Sequence, residues 1–228
     1  AMYTLFIGNK NYSSWSLRPW ILMRVLEIPF EEELIPFDVG TSFDKFRSFS
    51  RSGLVPCLHD GETVVWDSLA IAEYLAESHL RVWPGDTVTR AWARCVTAEM
   101  HSGFSALRNQ CSMNCGLRVE LNDIDSALQK DIDRIDEIWT EGLDRFGGPF
   151  LAGDSFTAAD AFYAPVAYRV QTFDLPLGPV ARSYAETLLA LPAMRDWYEV
   201  AVKEPWREIH HEEEILEAGR VVKDFRNH

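Results

Sequence analysis

Cysteine, positive charge and long hydrophobic runs are all scarce in this sequence. The 228 residues include four cysteines, at positions 57, 95, 111 and 115, and no C-x-x-C pair. This number and spacing exclude a disulfide framework in a chain of this length, so we expect reduced thiols. No segment approaches the roughly 20 apolar residues of a membrane span, and the first residues lack a secretory-signal pattern. We therefore expect a cytoplasmic protein with no membrane partner.

Acidic residues outnumber basic ones. The chain has 35 Asp and Glu against 22 Lys and Arg, which gives a formal net charge of −13. Because such a surface repels phosphate backbones, we expect no nucleic-acid partner. The composition is otherwise that of a globular protein, with 47% hydrophobic and 25% charged residues. The length suits one large domain or two small ones.

The first residues alternate between β-prone and helical segments. Tyr3–Ile7 is a short β-prone run, and a polar loop containing Ser13 and Ser14 separates it from an apolar helical segment. Pro19 is best tolerated within the first turn of a helix. We therefore predict Ser16 as the N-cap, with Ser13 and Ser14 in the loop before it.

A second strand and a hairpin follow. The strand is predicted at Glu32–Phe37, and since Pro36 cannot donate to a sheet ladder, we expect it at a sheet edge. The hairpin spans Pro56–Trp66 around an Asp-Gly turn, and Asp67 with Ser68 suits the start of another helix. The order β-α-β-β-β-α indicates one small α/β domain.

The pattern changes after residue 80. Pro84-Gly85-Asp86 interrupts it, and the rest of the chain has a helical pattern, including an acidic amphipathic stretch over Leu121–Phe146. We predict an α/β domain at residues 1–80, a linker at 81–88 and an all-helical domain at 89–228. The predicted fold class is thus α/β followed by all-α.

Four segments together resemble the soluble, cytosolic-type glutathione S-transferase superfamily. They are Asn11–Arg18, Gly53–Pro56, Asp67–Ile71 and the helix-capping segment Leu151–Asp160. The first is similar to the serine motif of zeta-like bacterial members, and all four follow the family's order and spacing. The resemblance covers nearly the whole chain. It implies an N-terminal thioredoxin-like domain, βαβ-ββα, joined to a helical-bundle C-terminal domain.

The resemblance implies glutathione as the co-substrate and two serines as its activators. A free thiol has a pKa of about 8.5, so only a few per cent is thiolate at neutral pH. A hydroxyl at the positive end of a helix would stabilise the thiolate. The family's first serine aligns with Ser13, which therefore ranks ahead of Ser14 as the catalytic residue. The alternative is that both hydroxyls only satisfy backbone N–H groups.

The glutathione-binding residues implied by the resemblance are Trp15, Leu54, Val55, Pro56, Asp67 and Ser68. Val55, before a cis Pro56, would offer its backbone to the cysteinyl part. Asp67 and Ser68 would bind the charged groups of the γ-glutamyl end, although helix capping explains the same two residues. Leu54 replaces a residue that is often polar in the family, and Trp15 stands where zeta members usually have cysteine.

The electrophile is expected to bind on the helical domain. One stripe of the helix after the linker would carry Met100, Phe104, Leu107, Arg108 and Cys111. Arg108 would steer an anionic co-substrate. The alternative is that the stripe belongs mostly to the core and that Arg108 pairs with a carboxylate. We expect no metal site, because no H-E-x-x-H spacing occurs.

The leading functional prediction is a glutathione transferase whose bound thiolate attacks a small hydrophobic electrophile. One alternative is a glutathione-dependent maleylacetoacetate-type cis-trans isomerase, as the zeta-like motif suggests. Another is a non-catalytic scaffold with the same fold, motivated by Leu54 and by the charged tail after Lys203. The resemblance also implies a homodimer and a role in detoxification.

Overall fold

The computed structural model describes residues 2–37 and 42–227. The outer ends of the two predicted domains, residues 1 and 228, lie outside this described part. The N-terminal elements are β1 (Tyr3–Ile7), α1 (Ser14–Val25), β2 (Phe30–Leu34), α2 (Ser42–Arg47), β3 (Cys57–Asp60), β4 (Thr63–Trp66) and α3 (Ser68–Ala76). A 3₁₀ turn at Leu80–Val82 follows them.

The four N-terminal strands form a mixed sheet in the order β2-β1-β3-β4. β1 pairs in parallel with β2 and antiparallel with β3. β3 and β4 pair antiparallel and form the predicted hairpin. β2 lies at the sheet edge, as Pro36 predicted, but the strand ends at Leu34, before the proline. At the hairpin turn Gly61 has a φ of +61°, a conformation that glycine adopts without steric cost.

α1 begins earlier than the proline pattern predicted. It starts at Ser14 with Ser13 as N-cap, so Pro19 lies in the second turn and costs the helix one backbone hydrogen bond. The predicted N-cap, Ser16, lies inside the helix. Its hydroxyl accepts hydrogen bonds from Gly8 N (3.1 Å) and Ser13 Oγ (2.7 Å). The prediction was wrong because Ser16 ties the helix to the end of β1 instead of capping it.

The rest of the chain folds into helices and one small sheet. Its elements are α4 (Thr87–Ser102), α5 (Ser105–Gln110), β5 (Leu117–Leu121), α6 (Ser126–Phe146), α7 (Ala158–Phe173), α8 (Pro179–Leu189), α9 (Pro192–Lys203), α10 (Ile209–Ala218) and β6 (Gly219–Asp224). β5 and β6 pair antiparallel, so the all-helical prediction for residues 89–228 is wrong at these strands. Each strand is short, and Glu120 pairs with the distant Arg220, so no local pattern indicated the sheet.

The acidic amphipathic helix is α6, and it starts later than predicted. Asp125 is its N-cap and accepts a hydrogen bond from Leu128 N at 2.8 Å, while Leu121 belongs to β5. Leu128, Ile132 and Ile135 are buried. The predicted apolar face therefore packs on the core, and the acidic residues lie on the opposite surface.

α7 is the central helix and is buried over nearly its whole length. The predicted helix-capping segment is present at its start, where Asp160 accepts hydrogen bonds from Thr157 N (3.0 Å), Leu151 N (2.9 Å) and the Tyr184 hydroxyl (2.6 Å). α7 packs against α1, so the core is continuous across both halves of the chain. Within the described residues, no helix has the length and apolar character needed to cross a bilayer.

Candidate functional site

Two adjoining cavities, each of about 340 Å³, lie beside the N-terminus of α1. The strand-side cavity is lined by Trp15, Ser52, Leu54, Val55, Pro56, Trp66, Asp67 and Ser68. The helix-side cavity is lined by Tyr12, Ser13, Ser14, Arg108, Arg169, His211 and others, and it shares Trp15, Leu54 and Val55 with the first. Every residue predicted to activate or bind glutathione therefore lines one or both cavities.

The two serines differ in their hydrogen bonds. The Ser13 hydroxyl donates to Ser16 Oγ at 2.7 Å. The Ser14 hydroxyl also lines the helix-side cavity, and in the described part of the chain it has no hydrogen-bond partner. Ser13 makes no side-chain cap bond, so N–H groups in the first turn of α1 remain available to an anion. The geometry thus favours Ser14 over Ser13 as the hydroxyl that is ready to donate.

The strand-side cavity combines a backbone edge with a helix N-terminus. The Val55–Pro56 peptide bond is cis, as expected, and Val55 lies at the junction of the two cavities. Asp67 caps α3 by accepting hydrogen bonds from Leu69 N (2.9 Å) and Ala70 N (3.3 Å). Capping uses only Oδ1 of Asp67, and Oδ2, which lies 3.2 Å from His101 Nε2, keeps a second lone pair for a ligand.

Leu54 is largely exposed, at 63% of its surface, and it lies where the two cavities meet. Its side chain offers no hydrogen bond to a ligand. Ser52 lines the same strand-side cavity and is the nearby polar alternative that sequence reasoning missed. Its hydroxyl is 3.3 Å from Leu54 N and accepts a hydrogen bond from it.

Trp15 is held between two arginines. The Arg18 guanidinium lies 4.0 Å from the indole centroid and that of Arg108 lies 5.4 Å away. His101 packs against the same ring edge-on at 5.4 Å. Cation–π contacts of this kind are worth about 0.5–2 kcal/mol each. They fix the indole as a wall between the cavities.

Arg18 belongs to the segment Asn11–Arg18, but nothing in that segment indicated that its side chain is a buried cation. Its side chain is 1% exposed, and Nη1 lies 3.4 Å from both Ser68 Oγ and His101 Nδ1. Burial lowers the pKa of Arg18 to about 9, with Arg169 as the next cause. The guanidinium remains charged at neutral pH, and it places a positive charge beneath Ser68 at the start of α3.

The predicted electrophile-binding stripe is not one helical face. α4 ends at Ser102, and Phe104 adopts a left-handed conformation with a φ of +59° before α5 begins. Met100, Leu107 and Cys111 are fully buried in the core and Phe104 is 7% exposed. These four residues belong to the core of the domain, as the alternative interpretation held, because the interruption between α4 and α5 rotates α5 relative to α4. Only Arg108 of the five lines the helix-side cavity.

Two arginines provide the positive charge of the helix-side cavity. Arg108 Nε donates to Gly103 O at 3.0 Å, and Arg169 Nε donates to Cys111 O at 2.8 Å. Burial lowers the pKa of Arg169 to about 10, so it stays cationic at pH 7. Both side chains use Nε for the protein backbone, and both line the cavity. The cavity therefore suits an anionic group on a ligand.

The cysteines near this site are not candidates for the nucleophile. Burial raises the pKa of Cys111 to about 12 and raises that of Cys115 further. Both thiols are therefore protonated at neutral pH. Across residues 2–37 and 42–227, no cluster of three or more His, Cys, Asp or Glu side chains is arranged to hold a metal ion.

The loop before Ser13 is held by the C-terminal part of the chain. Glu204 is 4% exposed, and its carboxylate accepts hydrogen bonds from Lys10 N (2.9 Å) and Asn11 N (3.0 Å). Trp197 Nε1 donates to Lys10 O at 2.8 Å. Sequence reasoning missed these supports, because nothing local connects residues nearly two hundred positions apart.

Family comparison agrees with this geometry. The model described as "Glutathione S-transferase, N-terminal domain" matches residues 12–78, and the model described as "Glutathione S-transferase, C-terminal domain" matches residues 90–199. Together they cover most of the chain, including every residue of the strand-side cavity.

Individual relatives are more distant. A probable maleylacetoacetate isomerase of Vibrio cholerae is 29% identical, with 84% of this chain and 94% of that protein covered. A probable maleylacetoacetate isomerase of Caenorhabditis elegans is 27% identical, with 81% of this chain and 87% of that protein covered. The crystal structure of a Burkholderia glutathione transferase homologue with bound glutathione superposes with a TM-score of 0.65 at 23% identity, covering 87% of this chain and 97% of that one. This last likeness concerns the fold alone.

Proposed function

Because this chain belongs to the glutathione S-transferase family, we propose that it binds glutathione along the strand-side cavity and activates its thiol for attack on a small electrophile. The observation that carries the proposal is the position of Ser14. Its hydroxyl, which has no hydrogen-bond partner among the described residues, lies at the N-terminus of α1 and lines the cavity adjoining the one formed by Val55, Asp67 and Ser68. A thiol can thus reach the serine while the peptide lies along the strand side.

In this proposal each part of glutathione meets a complementary group. The γ-glutamyl ammonium faces Oδ2 of Asp67, which also lies 3.2 Å from His101 Nε2, and the γ-glutamyl carboxylate faces the N-terminus of α3 and the Ser68 hydroxyl. The positive charge of Arg18, 3.4 Å from Ser68 Oγ, strengthens this anion site. The backbone of Val55 pairs with the cysteinyl residue as an added strand would.

The chemistry requires stabilising the thiolate form of glutathione. A hydroxyl that donates to sulfur and the free N–H groups of α1 both favour the anion. Each unit by which the thiol pKa falls towards 7 raises the thiolate fraction about tenfold at neutral pH. The thiolate then attacks an electrophilic carbon held in the helix-side cavity. In a substitution, the electron pair of the broken bond departs with the leaving group. In an addition to a double bond, the π electron pair moves to the neighbouring atom.

Calorimetric titration tests the proposal most directly. Reduced glutathione should bind, and Asp67→Asn should weaken the binding by removing the partner of the ammonium group. We also expect the wild-type protein to conjugate glutathione to chlorodinitrobenzene. Absence of glutathione binding at millimolar concentration would refute the enzymatic proposals and favour the scaffold.

A second candidate is glutathione-dependent isomerisation of a maleyl-type dicarboxylate. The observation that favours it is the pair Arg108 and Arg169 in the helix-side cavity, together with relatives named as maleylacetoacetate isomerases. In such a reaction the thiolate adds to the cis double bond, the carbon–carbon bond rotates, and elimination returns the thiolate. Turnover of a maleyl dicarboxylate without loss of free glutathione would distinguish isomerisation from conjugation.

We also propose that the protein is a homodimer. Large apolar side chains are exposed at Leu80 (90%) and Val88 (64%), beside the junction of the two domains, and Trp66 on β4 is 40% exposed. Light scattering after gel filtration should give twice the chain mass, and Leu80→Glu should shift it to the monomer. The cytoplasmic location and the detoxification role stay predictions.

A further inference from the structure

α10 forms one wall of the helix-side cavity and carries a histidine there. His211 lines the cavity together with Ser13 and Ser14, and its side chain is 33% exposed. Its ring packs against Tyr12, with the centroids 5.2 Å apart. Tyr12 directly precedes the two serines in the chain. The imidazole therefore borders the space in which the thiol of bound glutathione would lie.

A carboxylate orients this imidazole. Glu208 Oε2 lies 2.5 Å from His211 Nδ1 and also accepts the His211 backbone N–H at 2.8 Å. Burial by itself would raise the pKa of Glu208, but the hydrogen bonds from His211 hold that pKa below its ordinary value. Since a carboxylate only accepts hydrogen bonds, Nδ1 carries the proton of the neutral ring. Nε2 is then a lone-pair acceptor, with no partner among the residues that the structure describes.

α10 is itself anchored firmly. Glu212 accepts a hydrogen bond from the Tyr12 hydroxyl at 3.0 Å and another from Asn114 Nδ2 at 2.8 Å, and it pairs with Arg226 at 2.7 Å. Glu212 thus joins α10 to the serine loop, to the segment before β5 and to the C-terminal end. The position of His211 relative to the serines is set by packing, as a reacting pair requires.

We propose that His211, oriented by Glu208, is the catalytic base that takes the proton from the glutathione thiol. This inference rests on the proposed function, because it requires glutathione in the neighbouring cavity. The S–H bond breaks, its electron pair stays on sulfur as the thiolate, and the proton moves to Nε2. The resulting imidazolium is stabilised by the Glu208 carboxylate, as in other carboxylate–histidine pairs. In conjugation the proton then leaves to solvent, and in isomerisation the thiolate is regenerated without it.

Charged groups border His211 on several elements. Glu208 is the N-cap of α10, Glu214 lies within that helix, and the Tyr12 hydroxyl is occupied by Glu212. Arg108 on α5 and Arg169 on α7 line the same cavity. The site therefore balances carboxylates on one wall against guanidinium groups on the others.

The competing explanation is that Glu208 and His211 only cap α10, since Glu208 is the N-cap of that helix. The two roles predict different kinetics. Loss of a cap lowers stability and affects activity equally at every pH. Loss of a base moves the acid limb of kcat/KM for chlorodinitrobenzene conjugation to higher pH, because thiolate formation then depends on the serines and α1 alone.

The test compares His211→Gln with His210→Gln over pH 5.5–9. His210 is the matched control, because it is the adjacent histidine on α10 and its side chain is 81% exposed. We expect His211→Gln to lower kcat/KM about tenfold at pH 6.5, with recovery towards wild type at pH 9 and an unchanged glutathione Kd. Added imidazole should restore part of the loss in His211→Ala, which leaves space for it.

Three outcomes would overturn the inference. They are an unchanged pH profile, a loss of equal size at every pH, and a rise in glutathione Kd that accounts for the whole effect. Thermal unfolding of each variant shows whether α10 is retained, and imidazole rescue of His211→Ala keeps the test decisive if the glutamine variant is unstable. If wild-type protein does not bind glutathione at all, the proposed function itself fails, which calorimetry detects separately.

Discussion

His101 Nε2 lies 3.2 Å from Asp67 Oδ2, so a residue of α4 reaches the carboxylate that caps α3. On its other side, His101 Nδ1 faces the Arg18 guanidinium at 3.4 Å. An arginine can only donate, so Nδ1 is the acceptor and Nε2 carries the proton towards Asp67. Burial is the main cause that lowers the pKa of His101, and Asp67 opposes it. The helical part of the chain thus orients the proposed γ-glutamyl site.

This contact predicts a binding defect in His101→Ala. Asp67 would lose one hydrogen bond and Arg18 one acceptor, at a cost of about 1 kcal/mol, which corresponds to roughly a fivefold higher Kd for glutathione. The rate at saturating glutathione should change little, because the serines are untouched. Calorimetry and steady-state kinetics measure the two effects. Arg94→Ala, an exposed position on the same helix, is the control, and a drop in kcat alone would contradict the assignment.

The two serines should differ in their effect on thiolate formation. Ser14→Ala removes a hydroxyl that none of the residues described in the structure engages, so the pH midpoint of the thiolate absorbance of bound glutathione should rise by about one unit. Ser13→Ala should raise it less, because the Ser13 hydroxyl is already bonded to Ser16. Ser102→Ala, whose hydroxyl bonds within α4, should leave it unchanged. A larger shift for Ser13→Ala would restore the ranking based on the family motif.

Removal of Glu204 should destabilise the serine loop. In Glu204→Ala the buried N–H groups of Lys10 and Asn11 lose their acceptor, so the free energy of unfolding should fall by about 2–4 kcal/mol. Glu204→Gln keeps one acceptor oxygen and should lose about half as much. Urea unfolding measures both. The exposed Glu199 on α9 is the control, and equal stability of Glu204→Ala and Glu199→Ala would disprove this role.

Arg108 should determine the preference for anionic electrophiles. Arg108→Gln removes one of the two cationic side chains of the helix-side cavity, so kcat/KM for a carboxylate-bearing electrophile should fall about tenfold. A neutral electrophile should be affected less than twofold, because Arg169 and the serines remain. Arg145→Gln on α6 removes the same charge from a surface ion pair and is the control. Equal losses for both electrophiles would show that Arg108 only supports the loop at Gly103.

The strand-side cavity, which is the proposed glutathione site, was predictable because its signals are local. A cap at Asp67 needs only N–H groups two or three residues on, and the β3–β4 hairpin needs one two-residue turn. The segment Leu151–Asp160 is similarly short-ranged, and Asp160 bonds within it. The family motifs contain the serines, Val55 and Pro56, all of which line the cavities. Interactions over a few residues depend little on the rest of the fold, so the sequence carries them.

The electrophile side was not predictable in the same way. A continuous helical stripe was expected from Met100 to Cys111, but the helix ends at Ser102, and the left-handed Phe104 turns most of the stripe into the core. Arg169 and His211 reach the same cavity from α7 and α10. Which side chains meet there depends on how distant helices pack, and spacing along the chain does not encode it.

By itself the sequence determined the composition, the α/β-then-helical order, and the short motifs that form the proposed glutathione site. Only the tertiary structure decided which serine hydroxyl has no partner in the described part of the chain, because Ser16 Oγ, which also accepts from Gly8 N, takes the hydrogen bond from Ser13. It also placed Arg18 beside Ser68, Glu204 against the loop before Ser13, and His211 in the wall of the helix-side cavity. The physical reason for the placement of Arg18, Glu204 and His211 is that their contacts join residues far apart in sequence, whose meeting is settled by burial of the shared core around α7.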